Sequence, residues 1–228
     1  MPIPPTDTEL QFEKQTTCPL CAAAGIVPWH TDVFREYLRC ENCELIFVPP
    51  LYHLSRAEEK AEYDLHQNSP EDEGYRRFLS RVFEPIHARV AEASSGLDFG
   101  SGPGPTLSVM FEEAGHTMAI YDPQYAADTA PLAEQYDFVT ASEVVEHFCR
   151  PADDLARIWS CVKPGGLLGI MTKLSLDQAA FAGWHYKDDP THVSFFCRET
   201  FRWLARQWNA ELEFVGNDVV LITAGAVA

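Results

Sequence analysis

The sequence has no run of apolar residues long enough to cross a bilayer, which takes about 20 residues in succession. It is also poor in basic residues: 17 Lys and Arg stand against 34 Asp and Glu, and the formal net charge is -17 at pH 7. A charge of this sign repels phosphate backbones and anionic lipid surfaces. We therefore expect neither nucleic acid nor a membrane among the partners of this protein.

Residues 1–7 have neither the basic nor the apolar region of a secretory signal, and we expect a cytoplasmic protein. No internal repeat or low-complexity tract is present. Among the 228 residues, 46% are hydrophobic and 22% are charged, which is near the average for soluble globular proteins. A chain of this length has room for one full domain and a small appendage.

Seven cysteines are present, and four of them form two pairs, Cys18 with Cys21 and Cys40 with Cys43. Two thiolates three positions apart on a tight turn reach one ion, and two such turns complete the tetrahedral shell that structural zinc prefers. A cytoplasmic setting and the lack of a βαβ pattern here disfavour a disulfide pair or a redox motif. The pairs therefore predict a structural Zn²⁺ site.

Residues 1–50, here called the cysteine segment, end at paired prolines that cannot continue a sheet. Three basic against seven acidic residues do not make a phosphate-binding face. We interpret the segment as a zinc ribbon that contacts a protein partner or covers the substrate. Four side chains are expected to pack on the main domain: Trp29, Phe34, Tyr37 and Phe47. The three other cysteines are predicted to be small buried hydrophobes: Cys149, Cys161 and Cys197.

After residue 50, helical and strand patterns alternate. Residues 51–93 are predicted to form a helical lead-in or lid, with helices over 55–64 and 75–93. Later strands are predicted over 96–99, 118–121, 137–141, 167–172, 211–215 and 219–223. Later helices are predicted over 105–114, 151–162 and 199–207. This alternation indicates an α/β fold with a doubly wound, mostly parallel sheet over residues 94–228.

A glycine-rich turn, GSGPG at residues 100–104, joins a predicted strand to a predicted helix. Glycines let a ligand touch the backbone, and Asp122 at the end of the next strand is placed to accept hydrogen bonds from both hydroxyls of an adenosine ribose. The GxGxG spacing and its prolines favour a compact ligand over a pyrophosphate on the helix N-terminus. The loop therefore favours S-adenosylmethionine over NAD.

Together with YDFVTASEVVEH at 136–147 and VKPGGL at 162–167, these motifs resemble the class I, Rossmann-like S-adenosylmethionine-dependent methyltransferases of the bacterial small-molecule type. The resemblance covers about residues 94–223. With four cysteines in front, the chain is similar to a subgroup that carries an N-terminal zinc-binding segment. The resemblance implies methyl transfer to a small-molecule or carrier-held acceptor.

Within that family, Gly100 and Gly102 would bring backbone against the methionine moiety of the cofactor, and Asp122 would bind its ribose. Ser142 and Glu143 would line the methionine end.

Two further residues of the loop region are candidates for the cofactor site. Ser101 lies between the two glycines, and Asp98 either positions the loop or touches the cofactor.

The chain departs from the family after the second strand. Asp137 follows Asp122 by 15 positions, too few for the usual helix, third strand and helix, and the third strand is predicted to be reduced or missing. Asp128 is only a weak substitute for the family's adenine-binding carboxylate. Pro123 and the two residues after it are expected to pack against the adenine ring instead.

Methyl transfer from a sulfonium is an in-line displacement, so alignment and desolvation of the acceptor do most of the work. A base helps when the acceptor must lose a proton, and histidine has a pKa near the working pH. His185 and His192 are predicted to act in acid–base catalysis, with His147 as a further candidate and Tyr186 as an acceptor contact. All four follow predicted strands at the sheet edge where α/β ligands bind.

Three alternatives remain open at this point. An RNA-directed zinc-ribbon methyltransferase would need a basic face, which the charge argues against. An NAD-dependent oxidoreductase has the Asp122 spacing in its favour and the GxGxG spacing against it. A non-catalytic scaffold would bind the cofactor without turnover.

Overall fold

The computed structural model describes residues 15–65 and 69–226. The N-terminal residues behind the localisation expectation lie outside these ranges. In the described part, no helix is long and apolar enough to span a membrane.

A small antiparallel sheet is built mainly from the cysteine segment. Its strands are β1 (Ile26–Thr31), β2 (Glu36–Cys40) and β3 (Ile46–Phe47). A fourth strand, β8 (Ser194–Phe195), comes from far along the chain and pairs with β3. Tyr37, Ile46 and Phe195 are buried together with Phe181 and Tyr186. The cysteine segment thus completes its sheet and its apolar core with residues of the main domain.

Two helices lead into the main domain. Helix α1 (Arg56–Tyr63) begins after Ser55, whose side chain accepts a hydrogen bond from the Glu58 amide in a capping box. Helix α2 (Glu73–His87) buries Leu79, Val82 and Ile86 against the sheet. It ends before residue 93, where the prediction placed its end, because the chain turns at Ala88 and is no longer helical.

The main sheet has six strands in the order β5-β4-β6-β7-β10-β9. They are β4 (Ser95–Phe99), β5 (Thr117–Tyr121), β6 (Tyr136–Ser142), β7 (Val162–Met171), β9 (Glu211–Val215) and β10 (Val219–Thr223). The four strands β5, β4, β6 and β7 are parallel, and β10 is antiparallel to both neighbours. The predicted doubly wound, mostly parallel sheet is confirmed.

Helices cover both faces of this sheet because successive residues of each buried strand point to opposite sides. Phe138 packs with α2 and with α3 (Thr106–Glu113), whereas Val139 packs in the cluster that contains Leu155 and Phe201. Leu155 belongs to α4 (Pro151–Ser160), and Phe201 belongs to α6 (Arg198–Trp208). A short helix α5 (Gln178–Ala182) follows β7.

The third strand of the family is missing, as predicted. Between β5 and β6 the described chain forms a 3-10 turn (Ala130–Ala133) and an isolated bridge from Asp122 to Ala126. Strand β5 is therefore the edge of the sheet.

Some sequence expectations were wrong in detail. Cys149 is exposed rather than buried, although Cys161 and Cys197 are buried as predicted. Phe34 does not pack on the main domain, since it is 82% exposed. It lies in the β1–β2 turn, where Asp32 Oδ1 accepts hydrogen bonds from the amides of Phe34 and Arg35. Strand β7 begins five residues earlier than predicted and runs through the PGG motif.

Candidate active site and metal centre

The glycine loop follows β4 and depends on two left-handed glycines, with φ of 76° at Gly100 and 65° at Gly102. A Cβ on Gly100 would lie 2.4 Å from Val144 Cγ2, so this position has no room for a side chain. A Cβ on Gly102 would meet no atom of the described residues within 4 Å. The loop therefore packs at its first glycine and leaves backbone open to a ligand at the second.

Asp122 joins this loop to the turn after β5. Its Oδ2 accepts a hydrogen bond from the Gly102 amide at 3.0 Å, and its Oδ1 accepts from the amides of Gln124 at 2.8 Å and Tyr125 at 2.9 Å. The structure brings Asp122 and Gly102 together, as the motif spacing predicts. Pro123 lies exposed beside them.

Asp98 is buried in β4, two residues before Gly100. Its Oδ1 accepts a hydrogen bond from Thr140 Oγ1 of β6 at 2.8 Å. Burial raises the pKa of Asp98 to about 6, and the nearby charge of Asp122 acts in the same direction, while the Thr140 hydrogen bond opposes the rise. Asp98 thus ties the first strand to its neighbour directly below the glycine loop.

Three buried polar atoms near this loop have no hydrogen-bond partner within the described ranges: Ser101 Oγ, Ser142 Oγ and Gln124 Oε1. Buried polar groups are normally paired. The three follow or end β4, β6 and β5, so they share the carboxyl edge of the parallel strands. A ligand rich in hydroxyl, amine and carboxylate groups, such as S-adenosylmethionine, fits this set of donors and acceptors.

Two acidic side chains follow β6, Glu143 half-buried and Glu146 fully buried. Tyr186 donates its hydroxyl hydrogen to Glu146 Oε1 at 2.5 Å, and the same hydroxyl lies 3.3 Å from Glu143 Oε2. Thr172 Oγ1 donates to Glu146 Oε2 at 3.0 Å. Burial raises the pKa of Glu143 to about 8, with repulsion from Glu146 as the next cause. Burial likewise raises the pKa of Glu146 to about 7.

Sequence reasoning singled out Glu143 but not Glu146. The signal was present, because Glu146 stands three residues later in an apolar run, EVVEH, and is completely buried in the fold. An acidic residue in such a run has to find polar partners inside the protein.

Two of the three predicted histidines lie beside this pair. The ring centroids of His147 and His192 are 4.8 Å apart, and the Tyr186 ring is 4.2 Å from that of His192. Burial lowers the pKa of His192 to about 4, and the neighbouring His147 acts in the same direction. His192 is therefore neutral at pH 7 and keeps a lone pair on one ring nitrogen.

His185 is not part of this group of contacts. It is exposed, and its Nε2 lies 3.1 Å from Lys173 Nζ. The 3-10 turn His185–Asp188 explains the difference, because successive side chains of such a turn point in different directions and Tyr186 takes the buried one.

The chain segment that carries Tyr186 and His192 is held by the cysteine segment. The buried guanidinium of Arg35 donates hydrogen bonds to the carbonyl oxygens of Lys187, of Asp189 at 2.8 Å and of Pro190 at 3.2 Å. Backbone bonds continue this contact, with the Val48 amide donating to Val193 O at 2.9 Å. Nothing in the sequence around Arg35 indicated this role.

The four cysteines of the two CxxC pairs converge as predicted. Their sulfur atoms lie within 4.8 Å of one another, with separations of 3.5 Å from Cys18 to Cys43 and 3.4 Å from Cys21 to Cys40. Zinc binds thiolates at about 2.3 Å in a tetrahedron, which places sulfurs roughly 3.8 Å apart. The donor set and its spacing therefore fit a zinc ion.

Comparison with known proteins gives one family. The family described as "Methyltransferase domain" matches residues 68–214. An O-methyltransferase family protein from Burkholderia thailandensis is similar in structure, with 16% identity and a TM-score of 0.53 over 67% of this chain and 56% of that one. Streptomyces venezuelae DesVI has 15% identity and a TM-score of 0.50, over 77% of this chain and 100% of its own.

At these identities the structural likeness concerns the fold. The chain spans little more than half the length of the Burkholderia protein. No curated protein matches the sequence.

Proposed function

Since this chain belongs to the methyltransferase domain family, we propose that it transfers a methyl group from S-adenosylmethionine to a small-molecule or carrier-held acceptor. The cofactor assignment is carried by three features at one sheet edge: the open backbone at Gly102, the carboxylate of Asp122, and the hydroxyls of Ser101 and Ser142, which have no partner among the described residues.

The cofactor, when bound, supplies an electrophilic methyl group on sulfur. Asp122 keeps lone pairs on both carboxylate oxygens beyond its backbone bonds, and it is assigned to the ribose hydroxyls. Gly100, Gly102, Ser142 and Glu143 are assigned to the methionine end. Pro123 is exposed next to Asp122 and is assigned to the adenine ring.

The acceptor is assigned to the side of the site that contains Glu143, His147, Tyr186 and His192. Tyr186 and His192 are buried, and Glu143 and His147 are half-buried, so little water reaches this side, which favours alignment of a nucleophile with the methyl group. Burial lowers the pKa of His192 to about 4, which makes it a weak base, whereas Glu143, whose pKa burial raises to about 8, is suited to remove a proton from the acceptor near neutral pH.

The proposal that the cysteine segment also covers the substrate rests on a cleft beside that segment, whose wall contains none of the residues assigned above to the cofactor or the acceptor. It has a volume of about 660 Å³ and lies between that segment and the loop after β7, with Trp29, Ile46 and Leu174 in its wall. Trp29 Nε1 and Ser175 Oγ are buried there without a hydrogen-bond partner among the described residues. Such a wall can contact both apolar and polar parts of an acceptor.

The first test is isothermal titration of the zinc-loaded protein with S-adenosylmethionine, S-adenosylhomocysteine and NAD in parallel. We expect roughly micromolar dissociation constants for the first two and no binding of NAD. NAD binding alone would overturn the proposal in favour of an oxidoreductase. Cofactor binding without methyl transfer to any of a broad acceptor panel, RNA included, would favour a scaffold.

We also propose that the four cysteines hold one structural Zn²⁺. Elemental analysis of the purified chain should give one zinc per molecule, and loss of that zinc in the Cys40→Ser variant would identify the site.

A further inference from the structure

A second group of metal-ligating side chains lies apart from the four cysteines. A carboxylate oxygen of Glu146 and one ring nitrogen each of His147 and His192 lie within 4.8 Å of one another. The 3-10 turn Val145–His147 after β6 supplies two of these residues, and the segment before β8 supplies the third. A backbone hydrogen bond from Val193 N to Glu146 O, 2.8 Å long, holds the two parts together.

In both imidazoles Nδ1 faces a backbone carbonyl oxygen, and Nε2 of His192 lies 3.8 Å from Asp189 Oδ2. His192 Nδ1 lies 2.6 Å from Tyr186 O, and His147 Nδ1 lies 3.3 Å from Thr191 O. A carbonyl oxygen only accepts, so in both rings Nδ1 carries the proton and Nε2 is the nitrogen with the lone pair. Metal-binding histidines are held by this kind of bond, from the nitrogen that does not bind the metal to a backbone carbonyl.

The carboxylate of the group is oriented in a comparable way. Glu146 is 0% exposed and accepts hydrogen bonds from Tyr186 and Thr172, one on each oxygen. No Lys or Arg forms an ion pair with Glu146 or Glu143 in the described residues. Burial of carboxylates is costly unless a cation lies close by. A metal ion at this point would supply that cation.

We propose that Glu146, His147 and His192 bind a divalent first-row transition ion, for which Mn²⁺ is the test ion. Two imidazoles and one carboxylate leave coordination positions open and suit such ions better than Ca²⁺ or Mg²⁺. This inference rests on the proposed methyltransferase function. If the site binds such an ion, the acceptor is a hydroxyl compound whose oxygen binds the ion.

The position of the site supports this acceptor class. The Tyr186 hydroxyl hydrogen-bonds to Glu146 and lies 3.3 Å from Glu143 Oε2, so one of the three ligands lies one hydroxyl away from the residue assigned to the methionine end of the cofactor. An ion there acts as a Lewis acid that lowers the pKa of the acceptor hydroxyl. The proton leaves to Glu143, the acceptor oxygen forms a bond to the methyl carbon, and the carbon–sulfur bond breaks to leave S-adenosylhomocysteine.

The test is titration of the zinc-loaded, otherwise metal-free protein with Mn²⁺ alone, followed by calorimetry and by the electron paramagnetic resonance of the ion. Mn²⁺ prefers oxygen and nitrogen donors, so it does not compete for the thiolates. We expect one Mn²⁺ per chain. His147→Ala, His192→Ala and Glu146→Gln should each weaken binding by roughly tenfold or more.

Two controls keep the outcome decisive. His185→Ala removes an exposed imidazole outside the group and should leave Mn²⁺ binding unchanged. Affinity for S-adenosylhomocysteine shows that each variant is folded, and His147→Ala carries the test if Glu146→Gln fails to fold. Saturation below one Mn²⁺ per chain, or equal affinity in the folded histidine variants, would overturn the site. Because the readout is binding, failure of methyl transfer would leave the metal result intact.

Discussion

At the scale of single residues, two carboxylates near the glycine loop, at the carboxyl edge of the parallel strands, have different surroundings. Asp98 is enclosed by protein and interacts with Thr140 in the neighbouring strand. Asp122 faces the loop and holds three backbone amides around the place assigned to the ribose. We therefore expect the first carboxylate to affect stability as a function of pH and the second to affect cofactor binding.

The buried Asp98 should make the free energy of unfolding depend on pH. An unfolded Asp titrates near 3.9, whereas the folded protein raises the pKa of Asp98 to about 6, so the folded state holds the proton more tightly. Its stabilising contribution is present below pH 4 and is lost as the pH rises through 6, by about 3 kcal/mol.

The measurement is urea unfolding of wild type and Asp98→Asn between pH 4 and pH 8. The difference between the two curves should change sharply from pH 4 to 6 and level off above. Thr140→Val removes the hydrogen bond that lowers the pKa, so it should move this change to higher pH. Parallel curves for wild type and Asp98→Asn would show that Asp98 does not titrate as described.

Asp122→Asn should weaken S-adenosylhomocysteine binding roughly 10- to 100-fold, because charge-assisted hydrogen bonds to the ribose contribute about 1.5 to 3 kcal/mol. Titration calorimetry measures the loss. The matched control is Asp128→Asn, an exposed carboxylate in the same turn, which should bind the cofactor as wild type does. A larger loss of affinity in Asp128→Asn than in Asp122→Asn would indicate that the adenosine binds at the end of that turn.

At the scale of elements, the segment between α5 and β8 depends on contacts from the cysteine segment. Arg35 donates hydrogen bonds to three of its carbonyl oxygens, and β3 pairs with β8, which begins two residues after His192. The position of Tyr186 and His192 is thus set by residues that precede them by about 150 positions.

Arg35→Ala should therefore loosen this segment without affecting the cofactor edge. We expect amide hydrogen exchange over residues 187–193 to become at least roughly tenfold faster, with unchanged exchange in β4 and β6. Arg89→Ala, which breaks an exposed ion pair with Glu213, should leave exchange over 187–193 as it is. Protection equal to wild type in Arg35→Ala would mean that the strand pairing alone holds the segment.

Sequence patterns predicted most elements of the main sheet because each strand there has a local signature of apolar residues and turns. The final hairpin was predicted to the residue, and the short interval between Asp122 and Asp137 correctly removed the third strand. The pairing of β3 with β8 was not predictable. Each strand has two residues, which carry no periodicity, and their partner lies far away in sequence. The division at residues 50 and 93 stays a prediction.

In the candidate site too, local contacts were predictable from the sequence and distant contacts were not. Motif spacing brought Gly102 and Asp122 together correctly, since a loop and the end of the adjacent strand are local to one sheet edge. Arg35 and Thr172 were missed because their partners are set by tertiary packing and not by any neighbour in sequence. The roles assigned to these residues in catalysis and cofactor binding stay predictions.

At the scale of the whole molecule, the cysteine cluster belongs to the largest apolar core. Cys40 and Cys43 are fully buried in the same cluster as Leu97 and Phe201 of the main domain. We therefore expect loss of these cysteines to affect the main domain as well as the cysteine segment.

Cys40→Ser should lower the melting temperature of the entire chain by on the order of 10 °C, in a single transition seen by both far-UV and near-UV circular dichroism. Well below that temperature, S-adenosylhomocysteine should bind nearly as in wild type. The control is Cys149→Ser, which changes an exposed thiol. A separate early transition confined to the cysteine segment would show that the segment unfolds independently.

The β3–β8 pair also constrains the order in which the protein folds during translation. When β3 emerges, its partner is still roughly 150 residues from being translated, a delay of roughly 7 to 30 s at 5 to 20 residues per second. During that interval, one side of β3 has no partner strand, and the aromatic ring of Tyr37 is not yet buried by Phe195. Zinc delivered early would close the thiolate turns of the nascent chain and leave one open strand edge, so a chaperone that shields this edge would raise the yield of active protein.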